Sequence, residues 1–203
     1  MRDTTRNPAS TEALATSVAS GFPTAAELIL SELRGAIADL DPATLREAVT
    51  LLLGADRVFA AAAGRSRLAL GMGAMRLAHL GLTVYIAGDI TTPPIAHGDV
   101  LLVASGSGET HNVVHAADVA NQAGAFVIAL TAARESKLAK SARVVLWLNA
   151  PGKLDRSSVG SKQYAGSLFE QAVMLTLDSM FHALWQASEL DASSLWLRHA
   201  NIE

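Results

Sequence analysis

Short runs dominated by apolar residues recur along the middle of this chain and separate segments with a helical pattern. They occupy residues 58–63, 83–87, 100–104, 126–130 and 144–148. Apolar runs that lack a polar alternation are typical of strands covered on both faces, and strand–helix alternation predicts a parallel sheet with helices on either side. We therefore predict an α/β fold, a three-layer doubly wound sandwich around a five-stranded parallel sheet.

The segments that flank this alternating region predict a single domain with a tail at each end. Thr24 and Glu27 have capping-box spacing ahead of a helical pattern that ends near Leu40, and Asp41-Pro42 predicts the start of a second helix that runs to Gly54. An N-terminal helical hairpin is thus expected before the sheet. Residues 1–22 are predicted to be a flexible tail, residues 23–187 the domain, and residues 188–203 a second tail that holds at most a short helix.

The amino-acid composition limits which binding partners and which cellular compartment are expected for this protein. Half of the 203 residues are apolar and only 17% are charged, which suggests that other subunits cover part of the surface. A formal charge of −3 gives no reason to expect nucleic-acid binding, and no uninterrupted apolar run approaches the roughly 20 residues of a membrane span. The absence of cysteine excludes disulfides and thiolate metal sites. We predict a cytoplasmic oligomer with no nucleic-acid or membrane partner.

The strongest functional motif is the serine loop, Ser105-Gly106-Ser107-Gly108-Glu109-Thr110. It follows the apolar run 100–104 and leads into a helical pattern over residues 110–123. Backbone N–H groups at a helix start, hydroxyl donors and glycines that permit close approach together make an anion site. Without a lysine the loop is not a nucleoside-triphosphate loop, so a small phosphate monoester is the predicted ligand. The alternative is a serine-rich loop that only caps the helix.

A second strand end carries a similar sequence. Gly64-Arg65-Ser66 follows the first strand, and in a doubly wound sheet the loops after neighbouring strands meet at the switch point. Arg65 and Ser66 are therefore expected to surround the same ligand as the serine loop. Two alternatives stay open at this stage: Arg65 pairs with the phosphate or with a carboxylate, and Glu109 binds a sugar hydroxyl or only stabilises the helix start.

Metal binding has one weak signal. His111 and His115 are four residues apart on a predicted helix, which is a spacing that suits a metal ion. No third ligand is evident in the sequence, so two solvent-facing histidines are expected, with no metal and no cofactor.

These motifs resemble the sugar isomerase (SIS) domain family, whose signature is a strand followed by a Ser-x-Ser-Gly-Glu-Thr loop. Within that family the chain is similar to the 6-phospho-3-hexuloisomerases. The similarity lies in Gly64-Arg65-Ser66, the segment 75–81 that contains His79, the turn at Thr91-Thr92-Pro93, the serine loop, and Gly166-Ser167-Leu168-Phe169-Glu170-Gln171. It extends over roughly residues 25–187 and departs from the family pattern at Arg67 and at residues 161–164.

The resemblance implies a flavodoxin-like SIS domain and an isomerase without metal or cofactor. The reaction implied is the interconversion of 3-hexulose 6-phosphate and fructose 6-phosphate through a cis-enediol, in the ribulose monophosphate pathway of formaldehyde assimilation. It also implies a homotetramer and functional coupling to a 3-hexulose-6-phosphate synthase. Two other functions stay open: an aldose–ketose isomerase of sugar phosphates, and a non-catalytic sugar-phosphate sensor.

The same resemblance assigns the site residues. Glu170 would be the base that removes the substrate proton, and His79 would move a proton or help to open the sugar ring. The structural alternatives are a glutamate favoured by the positive end of a helix and a histidine that only packs or caps a helix end. The substrate-binding residues implied are Arg65, Ser66, Ser105, Gly106, Ser107, Gly108, Glu109 and Thr110.

Overall fold

The computed structural model describes residues 8–153, 155 and 159–202. All the predicted strands and helices are present, with ends within a few residues of the predicted ones except at the N-terminus. In chain order the elements are α1 (Pro8–Ile37), α2 (Pro42–Gly54), β1 (Val58–Ala62), α3 (Gly64–His79), β2 (Val84–Ile86), β3 (Val100–Ala104), α4 (His111–Gln122), β4 (Phe126–Thr131), α5 (Lys137–Ser141), β5 (Val144–Trp147), α6 (Ser167–Ala187) and α7 (Ala192–Trp196).

The five strands form one parallel sheet in the order β2-β1-β3-β4-β5. The direction in which strands are added reverses after β2, so β1 lies between β2 and β3. The last residues of β1 and β3, Ala62 and Ala104, are paired in register. The loops that follow these two strands therefore leave the sheet side by side at the topological switch point, where open α/β sheets bind ligands.

Each face of the sheet is covered by its own apolar cluster. Leu102 and Ile128 pack beneath α1, α2, α3 and α6, whereas Val103 and Val127 pack beneath α4 and α5 on the opposite face. Successive side chains along each strand thus point to opposite faces of the sheet, and both faces are apolar because helices cover both. The predicted three-layer, doubly wound fold is confirmed.

The N-terminal helix differs from the prediction. It is continuous from Pro8 to Ile37 and passes through Pro23, so residues 8–22, which were expected to belong to a flexible tail, are helical. The capping-box spacing of Thr24 and Glu27 predicted a helix start, but the helix continues through Pro23. Pro23 removes one helix hydrogen bond, and the alanine-rich segments on both sides favour the helix enough to tolerate that loss. Residues 1–7 of the predicted tail lie outside the described residues.

The outer half of α1, residues 10–22, is exposed along its whole length. Leu14, Val18 and Phe22 are exposed and four residues apart, so they form one apolar stripe. The described segment Ser10–Ile37 reaches a mean hydropathy of 1.3 and is long enough to cross a membrane by length and composition alone, with none of its most apolar window buried. Serines, threonines and glutamates interrupt this segment, so it contains no uninterrupted apolar run of membrane-spanning length.

Candidate functional site

A cavity of about 190 Å³ opens at the carboxyl ends of β1 and β3. Its walls come from the two loops that the sequence analysis placed together and from the start of α6. The lining residues are Ala63, Gly64, Arg65, Ser66, Ala104, Ser105, Gly106, Ser107, Thr110, Pro151, Lys153, Gly166, Phe169 and Glu170. Six of the eight predicted binding residues and one of the two predicted catalytic residues therefore lie in one pocket.

Three helices begin at this pocket, and none of the three has a side-chain cap. These are α3, α4 and α6, whose N-cap residues are Ala63, Thr110 and Gly166. The three described helices α2, α5 and α7 begin away from the pocket, and in each the N-cap side chain accepts a hydrogen bond from a backbone N–H group. First-turn N–H groups without a cap and the positive ends of the helix dipoles therefore point into one cavity, which is a strong arrangement for binding an anion.

The hydroxyl groups of the serine loop do not cap the helix that follows it. The side-chain oxygens of Ser105 and Thr110 lie 2.9 Å apart and share a hydrogen bond. Thr110 is the N-cap residue of α4, but its side chain makes no cap hydrogen bond. Ser107 accepts a hydrogen bond from the backbone N–H of Glu109 at 3.2 Å. A loop that only capped the helix would use Thr110 for that purpose, so the local geometry favours the anion-site interpretation.

Gly108 and Glu109 do not line the cavity. Gly108 has a φ of 61°, and a Cβ atom there would collide with Ser136, so this glycine is needed for the turn itself. Glu109 turns outward and pairs with Lys137, whose backbone N–H and Nζ each lie 3.0 Å from a carboxylate oxygen. The hydrogen bonds from Lys137 lower the pKa of Glu109. Glu109 therefore stabilises the start of α5 and does not face the cavity.

Gly106 links the loop to the start of α6. A Cβ atom at this position would lie 3.2 Å from Cδ1 of Phe169, which is closer than ordinary side-chain packing. The missing side chain lets the aromatic ring of Phe169 press against the loop. Because Glu170 follows Phe169 in the first turn of α6, this contact fixes the carboxylate at the pocket wall.

Glu170 and Arg65 face each other inside the cavity. Nε of Arg65 lies 3.1 Å from Oε2 of Glu170, and the two side chains are 62% and 17% exposed. Oε2 of Glu170 is buried against Arg65 and accepts no hydrogen bond of good geometry, while the glutamate as a whole lines the cavity. Arg65 also reaches the hydroxyl of Ser167 at 3.4 Å. A carboxylate of this kind beside an anion site can act as a general base toward a phosphorylated ligand.

His79 lies elsewhere. It is the last residue of α3, whose first residue lines the pocket, so the two are separated by roughly 20 Å at 1.5 Å per residue. The side chain is 4% exposed, its Nδ1 atom is buried without a hydrogen-bond partner, and its ring stacks on His199 at 4.0 Å. Burial lowers the pKa of His79, and the nearby side chains of His199 and Arg76 lower it further. The structure does not bring His79 to the pocket of its own chain.

One lining residue carries charge and was missed by sequence reasoning. Lys153 enters the cavity from the connection between β5 and α6, where its Cγ atom would lie 3.8 Å from a Cβ atom at Gly166. That connection has neither periodicity nor a recognisable motif, so nothing in the sequence distinguishes Lys153 from an ordinary surface lysine. Its ammonium group adds positive charge to the anion site.

Potential metal ligands are scattered. In the part of the chain that the structure describes, no group of three or more histidine, aspartate or glutamate side chains could hold a metal ion. The rings of His111 and His115 lie 6.4 Å apart on one face of α4.

Comparison with known proteins gives a consistent result. The model of the SIS domain family matches residues 51–175. A 3-hexulose-6-phosphate isomerase from Mycobacterium gastri is 47% identical over 87% of this chain and 88% of its own length, and one from Bacillus subtilis is 36% identical over 86% and 95%. The fold also matches that of a crystal structure from Methanococcus jannaschii, from which 3-hexulose-6-phosphate isomerase function was inferred. The TM-score is 0.77, and the identity is 24% over 89% of this chain and 99% of the other.

Proposed function

The chain belongs to the SIS domain family, and from that premise we propose that it is an isomerase that interconverts 3-hexulose 6-phosphate and fructose 6-phosphate. The observation that carries this proposal is the pocket in which three uncapped helix N-termini converge beside the carboxylate of Glu170. The identity to enzymes of that name over most of the chain supports the choice of substrate.

The phosphate group of the substrate binds where the helix starts meet. The first-turn N–H groups and the hydroxyls of Ser66 and Ser107 donate hydrogen bonds to its oxygens. Ser105 and Thr110 share a hydrogen bond, so this pair has one hydroxyl proton left to donate. Lys153 supplies positive charge that the serine loop lacks, whereas the charge of Arg65 is engaged by the carboxylate of Glu170. This contact anchors one end of the sugar and leaves its carbonyl-bearing end for the carboxylate.

Glu170 then removes the proton from C2 of the 3-hexulose. The electron pair of the broken C–H bond forms the C2–C3 double bond, and the carbonyl oxygen on C3 takes up a proton, which gives a cis-enediol. Loss of the proton on the C2 hydroxyl and return of a proton to C3 then produce the C2 ketone of fructose 6-phosphate. A positioned base of this kind contributes about 10²–10⁴-fold to the rate.

His79 can take part in this mechanism only if it reaches the pocket of another copy of the chain. Within one chain it is buried at the far end of α3, roughly 20 Å from the pocket. A catalytic role for His79 therefore requires a subunit arrangement that brings the C-terminal end of one α3 to the pocket of a neighbour.

The proposed assembly is a cytoplasmic homotetramer. The exposed stripe of Leu14, Val18 and Phe22 supports a protein partner, since monomers rarely leave such patches open. A bilayer fits this helix poorly, because residues 10–30 contain six serines and threonines and two glutamates. Functional coupling to a 3-hexulose-6-phosphate synthase follows from the reaction, because that enzyme's product would be the substrate here.

The test is proton NMR of fructose 6-phosphate incubated with the protein in deuterated water. We expect deuterium at C3 of fructose 6-phosphate and the appearance of a 3-ketose phosphate. Exchange at C1 instead would indicate an aldose–ketose isomerase, and binding without any exchange would indicate a sensor; either result contradicts the proposal.

A pair of variants assigns the base. Glu170→Gln should lower turnover by 10²–10⁴-fold and retain binding of fructose 6-phosphate, because the amide cannot accept the C2 proton. Glu109→Gln is the matched control, since Glu109 lies in the serine loop but points away from the cavity. Equal losses in the two variants would remove Glu170 from the mechanism.

A further inference from the structure

The C-terminal turns of α1 hold both ends of the connection between β5 and α6. At one end the backbone N–H of Asn149 donates to the carbonyl of Ala36 at 2.9 Å. At the other end the carboxylate of Glu32 accepts three hydrogen bonds, from the Ser161 hydroxyl at 2.7 Å, the Lys162 backbone N–H at 2.7 Å and the Gln163 side-chain amide at 3.0 Å. Glu32 and these donors are about 130 residues apart in sequence.

The same connection forms one wall of the phosphate pocket. Pro151 and Lys153 line the cavity from its first part, and Gly166 lines it from its end. Gly166 is also the N-cap of α6, and its carbonyl accepts the backbone N–H of Glu170 at 3.1 Å. Residues 161–163 lie three to five residues before Gly166, so their position constrains where α6 begins. Together with the contact between Phe169 and Gly106, this sets where the Glu170 carboxylate lies.

We infer that Glu32 is a positioning residue for this site, which keeps the wall of the pocket and the start of α6 in the substrate-binding arrangement. The inference rests on the proposed function, since it assigns Glu32 to the same pocket. A carboxylate is required rather than an amide: all of its contacts are donors, and the NH₂ group of a glutamine would face one of them. Neither the SIS family match, which begins at residue 51, nor the pocket lining includes Glu32.

The charge of Glu32 persists at neutral pH. Burial alone would raise the pKa of Glu32, but the hydrogen bonds from Lys162, Ser161 and Gln163 outweigh it and lower the pKa below its ordinary value. Both oxygens therefore remain acceptors under the conditions of an activity assay.

The experiment compares Glu32→Gln with Asp41→Asn in the full-length protein. Asp41 is a suitable control because its carboxylate also accepts hydrogen bonds, from the backbone N–H and hydroxyl of Thr44 at 2.8 Å each, yet it does not line the pocket. For both variants we would measure kcat and KM for the isomerisation, the Kd of fructose 6-phosphate by calorimetry, melting temperature, and hydrogen exchange of the backbone over residues 159–166.

Glu32→Gln should raise KM and Kd about tenfold with kcat within about twofold, because saturating substrate restores an arrangement that only about a tenth of the free molecules then adopt. Hydrogen exchange over residues 159–166 should accelerate in the same variant. Asp41→Asn should lower the melting temperature without changing KM, Kd or that exchange. Equal KM in the two variants would overturn the inference. A wild-type protein that binds the sugar phosphate but does not turn it over would overturn the proposed function, and the Kd comparison would still test Glu32.

A second variant covers the case in which Glu32→Gln does not fold. Ser161→Ala removes one of the three donors and leaves the carboxylate in place. We expect a two- to threefold rise in Kd and faster exchange over residues 159–166, since about a third to a half of the free molecules would then retain the arrangement. Unchanged values of both would overturn the inference.

Discussion

Two glycines of α3, Gly71 and Gly73, should respond to alanine in opposite directions. Both lie inside the helix, where alanine is favoured over glycine by about 1 kcal/mol. A Cβ atom at Gly71 meets nothing within 4 Å, so Gly71→Ala should gain most of that amount. A Cβ atom at Gly73 would lie 2.7 Å from Cβ and 3.0 Å from Cγ of Leu177 on α6, and would overlap its Cδ1.

The overlap at Gly73 outweighs the helix preference. Leu177 is buried, and its Cβ atom is tied to the α6 backbone, so the two helices must separate. Overpacking costs about 1–3 kcal/mol, and the upper part of that range, about 2–3 kcal/mol, applies here because the Cβ atom of Leu177 cannot turn away. Subtracting the gain of about 1 kcal/mol in helix preference leaves a net loss of about 1–2 kcal/mol. For a chain of this size each kcal/mol moves the melting temperature by about 2–4 °C, so the two variants should differ by roughly 5–10 °C.

Thermal and urea unfolding of the two variants beside the wild type would measure the difference. Gly73→Ala should also lower kcat/KM, because α3 and α6 carry Arg65 and Glu170 at their first turns and the contact with Leu177 sets their spacing. Equal melting temperatures for the two variants, or a more stable Gly73→Ala protein, would refute the packing argument.

Two buried titratable groups give further predictions. Burial would raise the pKa of Asp99, but hydrogen bonds from Arg57 and the Ala96 backbone lower it, so the carboxylate stabilises the fold above about pH 4 and this contribution is lost as the pH falls further. Asp99→Asn should therefore cost about 2 kcal/mol at pH 7 in urea unfolding and much less at pH 3; a loss that is the same at both pH values would contradict this. His79 has a lowered pKa, so the unfolded chain binds its proton first and stability falls as the pH drops below about 6.5. His79→Gln should flatten the stability curve between pH 7 and pH 5, and an unchanged slope would show that His79 does not titrate in this way.

Local sequence patterns were sufficient to predict the strands, most helix bounds and most of the residues that line the pocket. The apolar runs predicted the strands because a strand covered on both faces has no position for a polar side chain. The serine loop and Gly64-Arg65-Ser66 could be placed together because adjacent parallel strands end at the same edge of the sheet, and the register of Ala62 with Ala104 has that consequence. The start of α2 could also be predicted, since the Asp41 side chain caps it by accepting a hydrogen bond from the backbone N–H of Thr44, three residues away.

The order of the elements, the parallel sheet and the position of the serine loop could therefore be predicted from the amino-acid sequence. All three depend on contacts between near neighbours or on the periodicity of one segment. Only contacts made in the folded chain set which side chains face the cavity. They turned Glu109 toward Lys137, left His79 at the far end of α3, brought Lys153 into the cavity and placed Glu32 against Ser161. These contacts join parts of the chain that are far apart in sequence or depend on which way a helix end points, and no local pattern records either property.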